Sequence, residues 1–98
     1  MTGRGEHLSK VQARRCVHDL LDAGQPVVVT KHVLVRMAER DVSMPDVLST
    51  LRGGVYEEAE WDPERNTWKH RVWTRRFEVE IAIESEDEVL LVTAWRNP

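Results

Sequence analysis

Apolar residues recur along this chain with two different periods, and the change from one to the other falls near Gly54. Over residues 8–23, Ala13, Cys16, Val17, Leu20 and Leu21 fall on one helical stripe, while Arg14, Arg15, His18 and Asp19 lie off it. Ser9 is a candidate N-cap, and Gly24 with Pro26 ends the segment. Val27-Val28-Val29-Thr30 is β-branched without alternation, which predicts a short first strand covered on both faces. Residues 31–40 return to the helical period. Val33, Leu34, Met37 and Ala38 form the stripe to be buried, and His32, Arg36, Glu39 and Arg40 gather on the other side. A third helix starts at Ser43. Ser43 and Asp46 make an S-x-x-D capping pattern, Pro45 sits harmlessly in the first turn, and Met44, Val47, Leu48 and Leu51 follow i, i+3, i+4, i+7 up to Gly53-Gly54.

Beyond Gly54 the period is two. Residues 55–61 alternate, with Val55, Glu57, Ala59 and Trp61 on one side and Tyr56, Glu58 and Glu60 on the other. Asp62 to Asn66 has turn composition. Residues 67–75 and 77–85 are the next strands, the latter with Phe77, Val79, Ile81 and Ile83 facing away from Glu78, Glu80 and Glu84. Glu86-Asp87 is a tight turn, and residues 88–95 are apolar on both faces, as a central or covered strand would be. The order α-β-α-α-β-β-β-β, with short late turns, predicts an α+β fold: two or three N-terminal helices on a four- to five-stranded, mainly antiparallel sheet. Residues 1–8 read as a flexible arm and 9–98 as a single domain.

Composition narrows the picture. A chain of 98 residues supports one core, since two would each be too small to hold unaided. The net charge of −3 argues against a dominant phosphate-binding role. That average hides a split: residues 1–40 hold seven Lys/Arg against four Asp/Glu, and residues 41–98 hold seven against thirteen. A polyanion would meet the N-terminal half first. Cys16 is the sole cysteine, which excludes an internal disulfide and suits a reducing cytoplasm. No apolar run reaches membrane-span length, and no signal-peptide pattern opens the chain. There is no P-loop, dinucleotide-binding glycine motif, zinc spacing or nucleophile elbow, so no cofactor and no metal is expected.

Candidate chemistry is confined to a few places, each with a second, plainer reading. Cys16 is either a nucleophile or a small core residue. Lys31, His32, Arg36 and Arg40 place an imidazole among fixed cations: histidine moves protons near neutral pH and arginine grips phosphate bidentately. The alternative is a solvated helix face balanced by Glu39. The stretch Trp68-Lys69-His70-Arg71-Val72-Trp73-Thr74-Arg75 interleaves basic and aromatic residues, as a nucleic-acid surface does. Lys69, Arg71, Trp73 and Arg75 would point one way, and Trp68, His70 and Val72 the other. A basic strand between strands bearing Glu58, Glu60, Glu78 and Glu80 equally makes cross-strand ion pairs. His70, on the apolar side, is either catalytic or a satisfied core histidine. Arg96 either reaches a cleft or is a solvated strand end.

The run Thr30-Lys31-His32, then Arg36-Met37 and Glu39-Arg40, gives T-K-H-x-x-x-R-M-x-E-R-x-V. Followed by a capped helix and a glycine, it resembles the domain-of-unknown-function 4258 family over roughly residues 27–96. That family is similar to the RelE, MqsR and BrnT toxins of bacterial toxin–antitoxin pairs. The resemblance implies a RelE/barnase-like scaffold and metal-independent RNA cleavage by 2′-hydroxyl attack, with RNA and a cognate antitoxin or other protein as partners. By motif it places His32 as acid or base and Arg36 and Arg40 as phosphate holders. His70 as a further catalytic group, and Lys31, Lys69, Arg71, Arg75 and Arg96 as RNA contacts, are placed by chemistry. The alternative is a non-catalytic protein-interaction module on the same scaffold, favoured by the acidic sheet and the four tryptophans.

Overall fold

The computed structural model describes residues 7–98. The arm expected over residues 1–8 therefore falls mostly outside the described residues; of that stretch, Leu8 packs against the core. Three helices, α1 (Lys10–Asp22), α2 (Lys31–Glu39) and α3 (Met44–Gly53), accompany six strands: β1 (Val27–Val28), β2 (Val55–Tyr56), β3 (Glu60–Asp62), β4 (Thr67–Trp73), β5 (Phe77–Ser85) and β6 (Glu88–Arg96). The sheet runs β1-β6-β5-β4-β2, with β3 also on β4, and only the β1–β6 pair is parallel. The class is α+β, with more strands than expected. Among the described residues no helix is long and apolar enough to cross a membrane.

Local chemistry explains the helix starts. Ser9 closes a capping box with Gln12, Thr30 accepts from the Val33 N–H, and Ser43 closes a second box with Asp46. The Ser43 amide and hydroxyl both bond Asp46, which holds that carboxyl below its ordinary value. Ser43→Ala is expected to cost about 1 kcal/mol and to lower Tm by roughly 4–8 °C, read by thermal unfolding.

Val17, Val47, Leu51, Val72, Val79, Ile81, Val89 and Leu91 are fully buried between α1, α3 and the inner face of the sheet. At the end of α3 the Leu51 carbonyl, which no helical amide reaches, accepts from the Tyr56 hydroxyl (2.8 Å) and the His18 ring (3.1 Å). Burial pushes the Tyr56 phenol upward, so it remains a donor.

Five expectations are corrected. The first strand is only Val27–Val28, because Thr30 serves as the α2 cap; Val27 is buried and Val28 exposed at the sheet edge. Residues 55–61 are two strands rather than one. Tyr56 faces Val72 and Glu60 faces Lys69, so four residues span what three span opposite, and the extra residue bulges the chain between them. β4 stops at Trp73, where the Thr74 hydroxyl accepts the amides of Arg76 and Phe77 and turns the chain; Arg75 thus sits in a turn, off the face of Lys69 and Arg71. In β6, Leu91 faces Ile81 but Thr93 faces Glu80, so Val92 is an inserted residue. Strict alternation would group Ala94 with Leu90. The insertion instead turns Val89, Leu91 and Ala94 inward and Thr93 and Trp95 outward. In α2 only Val33 and Met37 are buried, and Leu34 is half exposed, because that helix lies along β6 instead of under the sheet.

Candidate functional site

The parallel strand β1 covers β6 only at Val89 and Leu90. Further along β6, α2 takes over the edge. The Arg40 guanidinium donates through Nη1 to the Thr93 hydroxyl (3.3 Å) and the Ala94 carbonyl (3.1 Å), and stacks 3.2 Å from the centre of the Trp95 ring. With Val33 and Met37 turned inward, residues 32, 36 and 40, each four apart, look out over the opposite face of the sheet. There they meet Glu80 from β5, Val92 and Thr93 from the β6 bulge, and Arg65 from the β3–β4 turn. The result is an open cleft of about 280 Å³ lined by His32, Val33, Arg36, Arg40, Arg65, Glu80, Val92 and Thr93. Without the inserted Val92, Thr93 would point into the core.

A chain of charges runs from the cleft across the sheet. Glu80 lies 3.4 Å from Lys69, Lys69 lies 3.9 Å from Asp62, and Asp62 lies 3.6 Å from Arg65. Asp62 is buried and also accepts the amides of Glu64 and Arg65, which fixes the turn that presents Arg65. Arg36 pairs with Glu39 at 3.3 Å, but both are half exposed and the pair is weak. The cleft therefore holds three guanidiniums against one carboxylate, beside an exposed imidazole, and suits an anion.

Of the residues singled out in the sequence, His32, Arg36 and Arg40 come together here. Lys69 touches the cleft only through Glu80. Arg71 lies between Glu57 (4.0 Å) and Glu78 (3.7 Å) on the same outer face. Arg96 is held by the Asp41 carbonyl (2.7 Å) and carboxylate. Lys31 is exposed at the start of α2, and Arg75 is exposed in its turn, with neither lining the cleft. His70 lies on the opposite face of β4. Glu80 and Arg65 were missed as cleft residues. Glu80 was legible only as a cross-strand partner, and nothing local in the sequence marks Arg65.

His70 is buried, with Nδ1 3.1 Å from the Glu57 carbonyl. A carbonyl can only accept, so Nδ1 carries the proton. Burial is the main force holding the His70 pKa down; nearby His7 adds to it, and the Glu57 hydrogen bond and Glu58 oppose it. A histidine kept neutral in the fold contributes stability that is present above its unfolded value near 6.5 and is lost as pH falls below it. His70→Asn is therefore expected to flatten the fall of ΔG of unfolding between about pH 7 and pH 5, as measured by urea denaturation. An equal slope in both proteins would contradict it.

A family model described as Domain of unknown function (DUF4258) matches residues 29–96. No curated protein and no solved structure matches the chain at a significant level. The matched stretch contains the cleft whole and leaves out α1.

Proposed function

The chain belongs to the DUF4258 family, whose name assigns no activity, and we propose from the α2 cleft that it is an endoribonuclease of toxin–antitoxin type. The carrying observation is the convergence of His32, Glu80 and three arginines on one open cleft. Cleavage of RNA without a metal needs a base for the 2′-hydroxyl proton, an acid for the leaving oxygen, and cations for the phosphorane-like charge. Glu80, steadied by Lys69, accepts the 2′-hydroxyl proton. The 2′-oxygen bonds to phosphorus, the P–O5′ bond breaks, and His32 protonates the 5′-oxygen. Arg36 and Arg65 hold the non-bridging oxygens, helped by the part of Arg40 not bound to β6. The products are a 2′,3′-cyclic phosphate and a 5′-hydroxyl. The test is purified protein with end-labelled RNA in the presence of a chelator. Cyclic-phosphate ends support the reading, and intact RNA at high protein concentration refutes it.

A second reading, a non-catalytic protein-interaction module, is favoured by the outer sheet face. Its cations are tied to carboxylates in Lys69–Glu80 and Arg71–Glu78, which weakens their grip on phosphate. It predicts a stoichiometric protein partner, a cognate antitoxin among the candidates, with capture lost on Trp73→Ala or Trp61→Ala. Unchanged capture after both substitutions removes the aromatic-anchor version.

A further inference from the structure

One aromatic ring stands open at the border of the α2 cleft. Beyond the β6 bulge the ladder is regular again: Thr93 faces Glu80 and Trp95 faces Glu78, all on the outer face of the sheet. Two residues along one face of a strand are roughly 7 Å apart, so Trp95 lies just past the cleft lining. Arg40 joins the two places. Its guanidinium lines the cleft, bonds Thr93 and Ala94, and lies 3.2 Å from the centre of the Trp95 ring.

That stack takes one face of the indole. Trp95 nonetheless stays 46 % exposed, which leaves much of the ring in water. Among the described residues Arg40 is its stacking partner, and no further contact engages the ring. The other indoles are committed elsewhere: Trp61 and Trp68 meet each other at 5.5 Å, and Trp73 donates to Glu57 at 2.7 Å. Because Arg40 already fixes the Trp95 ring, little rotamer freedom is left to lose when a second flat group lies on it. The guanidinium bonds neutral acceptors here, so it keeps its charge for the cleft.

The surroundings sort what can lie at each end. The cations His32 adjoins are on the Thr93 side. On the Trp95 side stands Glu78, drawn to Arg71 at 3.7 Å, and a carboxylate there repels phosphate. An anion grip and a flat aromatic surface about one sugar apart are the two demands of a nucleotide. We infer that Trp95, backed by Arg40, is the stacking site for the base next to the phosphate held in the cleft, and that the substrate is single-stranded RNA. This rests on the cleft being an RNA site. In a duplex the bases are stacked on one another and paired, so none is free to lie on the indole.

The probe is a short fluorescein-labelled oligoadenylate with 2′-fluoro sugars, which 2′-hydroxyl attack cannot cleave. It is titrated against the full chain at low salt by fluorescence anisotropy, beside the same backbone carrying abasic spacers. The wild-type protein is expected to bind the intact strand roughly tenfold more tightly than the abasic one. Trp95→Leu should bring that ratio close to one, and Trp95→Phe, which keeps a ring, should retain most of it. Binding should quench tryptophan fluorescence in the wild type and much less in Trp95→Phe. Annealing the complement should weaken binding to the level of the abasic strand. Equal affinity for intact and abasic strands, an unchanged ratio in Trp95→Leu, equal quenching in Trp95→Phe, or undiminished binding of the duplex overturns the inference. Cyclic-phosphate ends without base discrimination would overturn it and leave the catalytic reading in place. Base discrimination by Trp95 without cleavage would support it and remove the catalytic reading.

Discussion

His32→Ala is expected to slow RNA cleavage by about 10²–10⁴-fold, the usual contribution of a positioned general acid. Because His32 is exposed on α2, the substitution should leave stability within about 0.5 kcal/mol. That separation makes it the cleanest test of the proposed chemistry: cyclic-phosphate product measured under single-turnover conditions should fall while the unfolding curve stays in place. Unchanged cleavage by the alanine variant would remove His32 from the mechanism. Arg36→Lys provides the companion measurement. It keeps the charge but loses the planar fork, so cleavage should fall even though attraction for RNA is retained. Arg40 is a poor choice for such a test. Its guanidinium also holds Thr93, Ala94 and Trp95, and its removal would confound lost phosphate contacts with a loosened α2.

The second large effect concerns two adjacent glycines with opposite outcomes. A Cβ on Gly54 would lie 2.5 Å from the Thr50 carbonyl oxygen, 2.8 Å from that of Trp73 and 3.0 Å from a Val72 methyl. Two of the three neighbours are backbone, and neither can rotate away. The chain would have to shift, and the Gly54 amide would lose its 2.7 Å bond to Thr50, which ends α3. Gly54→Ala is expected to cost about 3 kcal/mol or more, a fall in Tm of roughly 12–24 °C. At Gly53, the last residue of α3, an added Cβ meets nothing within 4 Å. Gly53→Ala is expected to be neutral or to stabilise by up to about 1 kcal/mol. Thermal unfolding of both variants side by side checks the contrast; similar Tm values would refute it.

The helices were legible because their signals are local. Ser43, Pro45 and Asp46 mark a helix start by chemistry that operates over four residues, and the stripe of Val47 and Leu51 needs only a period of 3.6. The antiparallel hairpins were legible from their short turns. What failed was the assumption that a period of two runs unbroken through each strand. The extra residue between Tyr56 and Glu60 and the inserted Val92 are set by register with neighbouring strands, and no composition signal announces them. The parallel pairing of β1 with β6, more than sixty residues away in sequence, is equally a long-range fact.

The same division runs through the cleft. His32, Arg36 and Arg40 share one helix, so their common side follows from spacing alone. Glu80 and Arg65 join them only because the sheet brings β5 and the β3–β4 turn to α2. His70 was placed on the apolar side of β4 by alternation, and that placement set it apart from the cleft.

The closure of the β6 edge bears on how the protein behaves when crowded. β1 covers that border at Val89 and Leu90, and Arg40 occupies it again at Thr93 and Ala94. At the opposite border β2 is only two residues long and kinked by its bulge. Neither flank offers a long straight template on which a neighbouring chain could continue the ladder, so the fold resists fibril growth by strand addition even at high concentration.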